Sequence, residues 1–424
     1  MPGRARLPGS WWITVPAPTH PETQHGWWDT ARLPRYPGRT TRKRNPPVSE
    51  TGHGDEKITV RMIQHWLDRL APPSWGVNWD RGGLQIGRPD AAVTGVCACL
   101  NLRPEAVSFA RERKANLFLA HHPPIWDPVK ALRTDHPGLS ALIQAAAEGM
   151  HCIAAHTCLD AAPGGINDAL AEILQLSGVR PLFPAAEAKQ VKIVTFLPAD
   201  QVARVRRAMS DAGAGVIGIY RECAFAAPGT GSFFAPDEAN PFTGARGQLN
   251  EEPEVRLEMI AERHLTDAVL SAMRAAHPYE EPAYDVIPLE NTRPDVGLGR
   301  LGTLPEPMSP LELLAYVREK LSAPQARLAM PPDAANRCLK TVGVLGGSGG
   351  SLITRLPPET DAYITGELSY HNALDAVTAG HVIIEAGHHE TEFPGVRRLA
   401  ERLRQDFPGL PVHIFEESSP YVAT

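Results

Sequence analysis

Short apolar segments alternate with longer amphipathic segments over most of the chain. The segments VTGVCACL (93–100), NLFLA (116–120) and HCIAAH (151–156) have the length and composition of buried strands, and helical patterns separate them. Buried strands alternating with helices are typical of a mostly parallel sheet that is covered on both faces. The same alternation begins again at residue 339 and continues toward the C-terminus. The pattern therefore predicts an α/β protein with two α/β halves.

The middle of the chain has a different order of elements. A strand pattern and a helix pattern are followed by two strand-like segments, the first of which starts near residue 215, and then by a helix and a strand. This β-α-β-β-α-β order is the ferredoxin-like arrangement. We therefore predict an α/β domain at 58–188, an inserted ferredoxin-like α+β domain at 189–291, and a second α/β domain at 292–424.

The first 57 residues show neither a strand period nor a helix period. Residues 1–54 contain nine prolines and two Trp-Trp pairs, with eight Lys and Arg residues against three acids. The apolar stretch WWITV is shorter than the ~7–15 residues in the core of a signal peptide. The composition predicts a disordered basic extension over 1–57, or a segment upstream of a true start near Met62. An arm that binds nucleic acid or a membrane surface is the alternative.

The composition of the whole chain argues against several classes of protein. No segment approaches the ~18 consecutive apolar residues of a membrane helix. The net charge is −6, and because residues 1–54 contribute +5, the remaining 370 residues carry −11. A body this acidic argues against nucleic acid as the main partner. The six cysteines have no CxxC spacing, which argues against a disulfide scaffold or a thiolate zinc site and favours a reducing cytoplasm.

Three groups of metal-ligating residue types follow directly on predicted strands: His121 with His122, Asp160, and His388 with Glu392. The carboxyl ends of parallel strands meet at one edge of a sheet, where ligands bind, so the three groups can converge. Imidazoles together with carboxylates suit zinc, iron, manganese, cobalt or nickel. Three histidines and two carboxylates exceed what one tetrahedral zinc uses, which indicates two divalent ions.

Simpler roles are the alternatives for these residues. A His pair after a strand can be structural, and Asp160 can cap the helix that follows it. Two further histidines lie near predicted strand ends and are candidate catalytic residues. His371 would be a general acid or a substrate contact, with a surface position as the alternative. His156 would orient a metal ligand through a hydrogen bond, with core packing as the alternative.

The glycine-rich segment GGSGGS (346–351) follows a predicted strand, as phosphate-binding loops do. It lacks the Lys-Ser/Thr pair of a P-loop and fits the GxGxxG pattern poorly, so it is a weak indication of nucleotide binding. The alternative is a tight turn that lets a helix pack close to the sheet.

Six motifs occur in a fixed order along the chain: WDRGGLQIG, AHHPPIW, AHTCLDAAPGGINDALAEIL, GVLGGSGGSLI, DAYITGELSYHNALDA and EAGHHETE. Together they closely resemble the NIF-three-like family, often labelled GTP cyclohydrolase I type 2-like, over residues 58–424. The central segment, with GTGSF, NPFTG and AHPYEEPAYDV, resembles the PII-like insert of the longer bacterial members.

The resemblance implies two related α/β halves whose facing edges hold a dinuclear metal centre. Its metal ligands correspond to His121, His122, Asp160, His388 and Glu392. The resemblance also implies a homohexamer with the PII-like inserts at its openings, and a metal-dependent hydrolase of a small molecule, either a nucleotide or a phosphoester. A non-catalytic metal-binding regulatory or metal-carrier assembly is the alternative. Cys158 replaces a common Asn and His389 a common aromatic residue, and neither change removes a ligand.

Overall fold

The computed structural model describes residues 57–421, apart from residues 134 and 187. The predicted basic extension therefore lies outside the described residues, except for Lys57. The described residues form ten α-helices and fifteen β-strands, joined by turns and short 3-10 helices.

Three groups of elements follow one another along the chain. The first group comprises α1 (Val60–Leu70), β1 (Gly83–Ile86), β2 (Val96–Cys99), α2 (Pro104–Glu112), β3 (Leu117–Ala120), α3 (Pro137–Ala147), β4 (His151–Ala154), α4 (Thr157–Ala161), α5 (Ile166–Ile173) and β5 (Ser177–Pro184). The second comprises β6 (Lys189–Leu197), α6 (Val202–Asp211), β7 (Ala224–Phe234), β8 (Leu249–Glu262), α7 (Thr266–Ala276) and β9 (Tyr284–Thr292). The third comprises β10 (Gly297–Met308), α8 (Pro310–Lys320), β11 (Arg327–Ala329), β12 (Leu339–Leu345), β13 (Ala362–Thr365), α9 (Tyr370–Thr378), β14 (Val382–Glu385), α10 (His388–Asp406) and β15 (Val412–Ile414).

The first sheet has five strands in the order β1-β4-β3-β2-β15. The strands from β4 to β15 are parallel, and β1 pairs with β4 in the antiparallel direction. Every residue of β2, β3 and β4 is buried, because α1 and α10 pack on one face and α2 and α3 on the other. Burial on both faces explains why these strands are continuous apolar runs.

The second sheet has six strands in the order β11-β14-β13-β12-β10-β5. Its centre, β14-β13-β12, is parallel, and the other strands join in the antiparallel direction. The two sheets exchange strands: β5 precedes the insert but pairs with β10, whereas β15 follows α10 and pairs with β2. Neither sheet is therefore built from one continuous segment, and the boundaries at 188 and 292 stay predictions.

The inserted segment forms a four-stranded antiparallel sheet in the order β7-β8-β6-β9. Both α6 and α7 pack on it, through Val205 and Val269 against Ile193 and Leu257. The structure thus has the β-α-β-β-α-β order expected from the sequence, and the PII-like character of the insert stays a prediction. The strand expected from about residue 215 begins only at Ala224, because positive φ angles at glycines 215 and 218 turn the chain there.

A buried arginine ties the two halves together. Arg300 in β10 is 2% exposed, and its guanidinium donates to both carboxylate oxygens of Asp168 in α5, at 2.7 and 3.1 Å. It also donates to the carbonyl oxygens of Ala162, Gly297 and Gly299. A charge buried this deeply requires such partners, because desolvation disfavours it otherwise.

Among the described helices, none is long and apolar enough to cross a membrane.

Candidate metal centre

The candidate site lies where three strands end. His121 and His122 follow directly on β3, and their backbone N–H groups donate to the carbonyl oxygens of Cys99, the last residue of β2, and of Leu100, which follows it. Adjacent residues at a strand end point in different directions. The imidazole of His121 is accordingly buried, whereas that of His122 is about one-quarter exposed.

The helix α10 begins at His388, so His388 and Glu392 lie four residues apart on one helical face, as the sequence suggested. Glu392 is 3% exposed, and its Oε2 lies 3.0 Å from Nε2 of His388 and 3.0 Å from Nε2 of His122. The two Nε2 atoms are 3.3 Å apart. Two imidazole nitrogens and a carboxylate oxygen therefore converge from two segments of the chain.

A second group converges around His121. Its Nε2 lies 3.7 Å from Oδ1 of Asp160 and 3.7 Å from Oε1 of Glu392. Both His121 Nε2 and Asp160 Oδ1 are buried, and neither has a hydrogen-bond partner within the described part of the chain. Buried polar atoms are almost always paired. An imidazole nitrogen and a carboxylate oxygen are both metal ligands, so the unpaired His121 Nε2 and Asp160 Oδ1 fit a bound cation between them.

Hydrogen bonds at the opposite ring nitrogens fix the tautomers of these histidines. Nδ1 of His121 donates to the carbonyl oxygen of Ala155 at 2.8 Å, and Nδ1 of His122 bonds to Oδ1 of Asn101 at 2.8 Å. Asn101 Nδ2 in turn donates to the buried carboxylate of Glu417. With the proton held at Nδ1, the Nε2 lone pairs face the site. Neither Asn101 nor Glu417 stands in a local pattern that marks it as part of a site, and the two residues lie 316 positions apart.

His156 lies in the same cluster, with its ligand-type nitrogen within 4.8 Å of those of His121 and His122. Its Nδ1 bonds to Oδ1 of Asp80 at 2.7 Å. The other oxygen of Asp80 accepts from the backbone and hydroxyl of Thr157. Burial alone would raise the pKa of Asp80, but the hydrogen bonds from His156 and Thr157 outweigh it and lower that pKa to about 2. Asp80 was not singled out from the sequence, although it stands in the WDRGGLQIG motif.

Burial and neighbouring charge shift the pKa values of the converging groups strongly. Burial raises the pKa of Asp160 to about 6. Burial opposes protonation of His121 and His388, but nearby carboxylates outweigh it and raise the pKa of each to about 9. Burial likewise disfavours ionised Glu392, yet the surrounding imidazoles hold the pKa of Glu392 well below its usual range. Without a bound cation, the protons on His121 and His388 thus balance the negative charge of Glu392. Binding of a cation would release these protons.

The glycine-rich segment 346–351 passes directly over the Glu392 carboxylate. Gly347 has a φ of +67°, and a Cβ there would overlap Oε1 of Glu392. The N–H of Gly347 donates to Thr391, and that of Gly346 donates to Asn167, whose side chain also bonds the carbonyl oxygen of Asp160. These contacts support the interpretation of the segment as a tight turn that permits close packing.

The remaining candidates lie outside these clusters. His371 is exposed in the first turn of α9, with its ring against Tyr370. The ring of His389 stacks on Phe393 at 4.9 Å. Burial raises the pKa of the Cys158 thiol to about 12, and Cys158 belongs to neither group of possible metal ligands among the described residues. Of the two candidate catalytic histidines, the structure thus brings only His156 to the other site residues.

Comparison with known proteins agrees with the resemblance carried by the six motifs. A profile of the Duf34/NIF3 (NGG1p interacting factor 3) family matches residues 58–420. A Bacillus subtilis relative named GTP cyclohydrolase 1 type 2 homolog is 37% identical over 335 residues, which cover 79% of this chain and 89% of the relative. A Mycobacterium tuberculosis relative of the same name is 36% identical over 355 residues, covering 82% of this chain and 92% of the relative.

Solved structures show the same fold. The crystal structure of a Bacillus cereus protein related to NIF3 has a TM-score of 0.77 and 34% identity, and the match covers 87% of this chain and 100% of that one. A Staphylococcus aureus protein structure has a TM-score of 0.66 and 26% identity, with 87% and 99% covered. The α/β fold class predicted from the sequence is confirmed. The family profile spans most of the chain, and the chain belongs to the Duf34/NIF3 family.

Proposed function

We propose that the protein is a metal-dependent hydrolase whose centre holds two divalent cations. The observation that carries this proposal is the convergence of buried imidazole and carboxylate atoms that have no hydrogen-bond partner among the described residues, His121 Nε2 and Asp160 Oδ1. Two overlapping clusters have metal-ligand spacing, one around His121, His122 and His156 and one around His122, His388 and Glu392. The donor set suits zinc, iron, manganese, cobalt or nickel.

Four of the five predicted ligands belong to these clusters, and the fifth, Asp160, has its Oδ1 3.7 Å from Nε2 of His121. Glu392 lies near histidines of both clusters. Two bound divalent cations would supply Lewis-acid activation of a water molecule and would neutralise negative charge that develops during hydrolysis. The residues His121, His122 and His388 present Nε2, because their Nδ1 atoms face Ala155, Asn101 and Glu367.

His156 is the stronger of the two catalytic candidates. Asp80 accepts a hydrogen bond from Nδ1–H of His156 at 2.7 Å, so Nε2 of His156 can take a proton from a reacting water molecule.

We propose two classes of substrate. The name of the relatives, GTP cyclohydrolase 1 type 2 homolog, supports a nucleotide, and a phosphoester is the other class. His371 is exposed on α9 and belongs to neither cluster, so we propose for it no more than a peripheral contact with substrate.

Elemental analysis of the purified full-length chain tests the metal proposal, and a hydrolysis panel tests the reaction. The chain is loaded in turn with zinc, manganese, cobalt, nickel and ferrous iron, and the number of ions per chain is measured. We expect two ions per chain and turnover of at least one nucleotide or phosphodiester. One ion or none contradicts the dinuclear centre. Two ions without turnover of any compound favours the metal-carrier alternative.

The close contact between Gly347 and Glu392 gives a sharper test of the centre. A Gly347→Ala chain is expected to lose most of its metal, because the added Cβ must displace the Glu392 carboxylate. Gly380→Ala is the matched control, since Gly380 also has a positive φ, of +90°, but no atom lies within 4 Å of the added Cβ. Both changes should cost ~1 kcal/mol of stability through backbone strain. Equal metal content in the two variants would contradict this role of Gly347.

We also propose that the chain assembles as a homohexamer through its inserted domain. Of the nineteen large apolar side chains exposed in the described part of the chain, ten lie on this domain, including Ile219 (89%), Phe234 (61%) and Phe225 (65%). A concentration of exposed apolar side chains on one domain favours an interaction surface there. This concentration supports subunit contacts through the insert.

The double variant Ile219→Asp/Phe234→Asp is expected to lower the mass of the assembly in light scattering after gel filtration. Charged side chains buried at a subunit contact would lack partners. Leu132→Asp is the control, because Leu132 is 70% exposed but precedes the insert. An unchanged hexamer in the double variant, or a monomeric wild type, would overturn the assembly proposal.

A further inference from the structure

Two exposed tryptophans stand beside the metal centre. The rings of Trp79 and Trp126 meet edge to face, with centroids 5.7 Å apart and an interplanar angle of 61°. Both also lie against the imidazole of His156, at centroid distances of 6.3 Å for Trp79 and 5.6 Å for Trp126. We call Trp79 and Trp126 the tryptophan pair.

The same short segments that supply the site also supply the tryptophan pair. Trp79 immediately precedes Asp80, which holds His156, and Trp126 stands four residues after His122. The His156 ring lies 5.4 Å from that of His121 and 5.7 Å from that of His122. The tryptophan pair is thus separated from the candidate ligands by a single imidazole ring.

The exposure of this pair is high for tryptophan. Trp79 is 56% exposed and Trp126 is 46% exposed, although each ring has an aromatic neighbour. Large aromatic rings are among the side chains that gain most from leaving water. Indole rings left uncovered at the edge of a polar site are therefore poised to bind an apolar surface of a ligand held by that site.

The indole rings of the tryptophan pair favour one kind of apolar group on a ligand. Indole faces attract flat π-systems through stacking and edge contacts, and such contacts tolerate many ring types. We propose that the tryptophan pair binds a planar aromatic or heteroaromatic ring of the ligand while its anionic group lies at the metal centre. This inference rests on the proposed metal-dependent function, and it narrows the substrate class to compounds that carry such a ring.

Two phosphonates test the inference without being hydrolysed. Phenylphosphonate and cyclohexylphosphonate carry the same anionic group, but only the first has a flat aromatic ring. We expect the metal-loaded wild type to bind phenylphosphonate about five-fold more tightly in calorimetric titrations, as aromatic contacts of this kind allow. Trp126→Leu should reduce the ratio of the two Kd values to near one, and Trp126→Phe should retain part of it.

Tyr421→Leu is the matched control, because it removes an exposed aromatic ring (72%) that belongs neither to the site residues nor to the inserted domain. Its Kd ratio should equal that of the wild type. Equal binding of the two phosphonates by the metal-loaded wild type, binding of neither, or an unchanged ratio in Trp126→Leu overturns the inference. A fall in assembly mass for Trp126→Leu without a change in the ratio shows instead that a second copy of the chain covers the pair.

The ion content of every sample is measured alongside these titrations. A wild type that takes up no ions contradicts the proposed metal centre, whereas a loaded wild type without ring preference contradicts only the role of the tryptophan pair. A ring preference in a loaded protein that hydrolyses nothing supports the pair as a binding site and contradicts the hydrolase. The failures of the two proposals are therefore separable.

Discussion

A Glu392→Gln chain is expected to retain less than about a tenth of the metal that the wild type binds. Glu392 is the carboxylate nearest to three histidines, with His122 and His388 at 3.0 Å and His121 at 3.7 Å. Glutamine keeps the size of the side chain but loses the negative charge that attracts a cation and balances the imidazoles. Ion content by elemental analysis, measured after equilibration with excess metal and gel filtration, is the readout.

Glu401→Gln controls for this substitution, since Glu401 lies on the same helix but is exposed. It should bind as much metal as the wild type. Thermal unfolding of the Glu392→Gln chain establishes that the protein is still folded. A folded Glu392→Gln chain with full metal content would remove Glu392 from the ligand set and would leave only Asp160 as a buried carboxylate at the centre.

The second large effect concerns stability. An Arg300→Met chain is expected to lose ~3 kcal/mol of unfolding free energy, the lower end of the values for breaking a buried ion pair, because part of the Asp168 side chain is exposed. Methionine fills much of the volume but leaves the Asp168 carboxylate and three carbonyl oxygens without the guanidinium. The midpoint of urea unfolding, followed by circular dichroism, reports the loss.

Two further chains make this result interpretable. Arg180→Met should change stability little, because Arg180 is half-exposed and its pairing with Glu359 lies at the surface. Adding Asp168→Asn to Arg300→Met should recover part of the loss, since the buried charge is then gone. Equal midpoints for the Arg300→Met and Arg180→Met chains would show that the buried ion pair does not hold the halves together.

Local sequence patterns were sufficient to predict the fold class and the meeting of the main site residues. Every residue of β2, β3 and β4 is buried, so these strands are apolar runs that can be recognised without a structure. Because parallel strands end at one edge, His121 and Asp160 had to lie near each other, and helical spacing brought His388 and Glu392 to one face. Their role as ligands stays a prediction.

Features that depend on distant pairing could not be predicted. The exchange of β5 and β15 between the sheets leaves no trace in either strand, because an edge strand has the same local pattern beside any partner. Glu417 is a surface residue type by composition, yet it is buried and supports Asn101. Trp79 and Asp80 are informative only once the fold places them beside His156, 76 positions later.

The exchange of strands also has a consequence for how the protein is made. The first sheet is completed by β15, and the candidate centre by His388 and Glu392 on α10, which both come from the end of the chain. During synthesis from the N-terminus, β2 therefore exposes an unpaired edge until β15 has been made, and His122 lacks His388 and Glu392 until α10 has been made. A cation site that uses His388 and Glu392 would therefore be complete only after α10 has been synthesised.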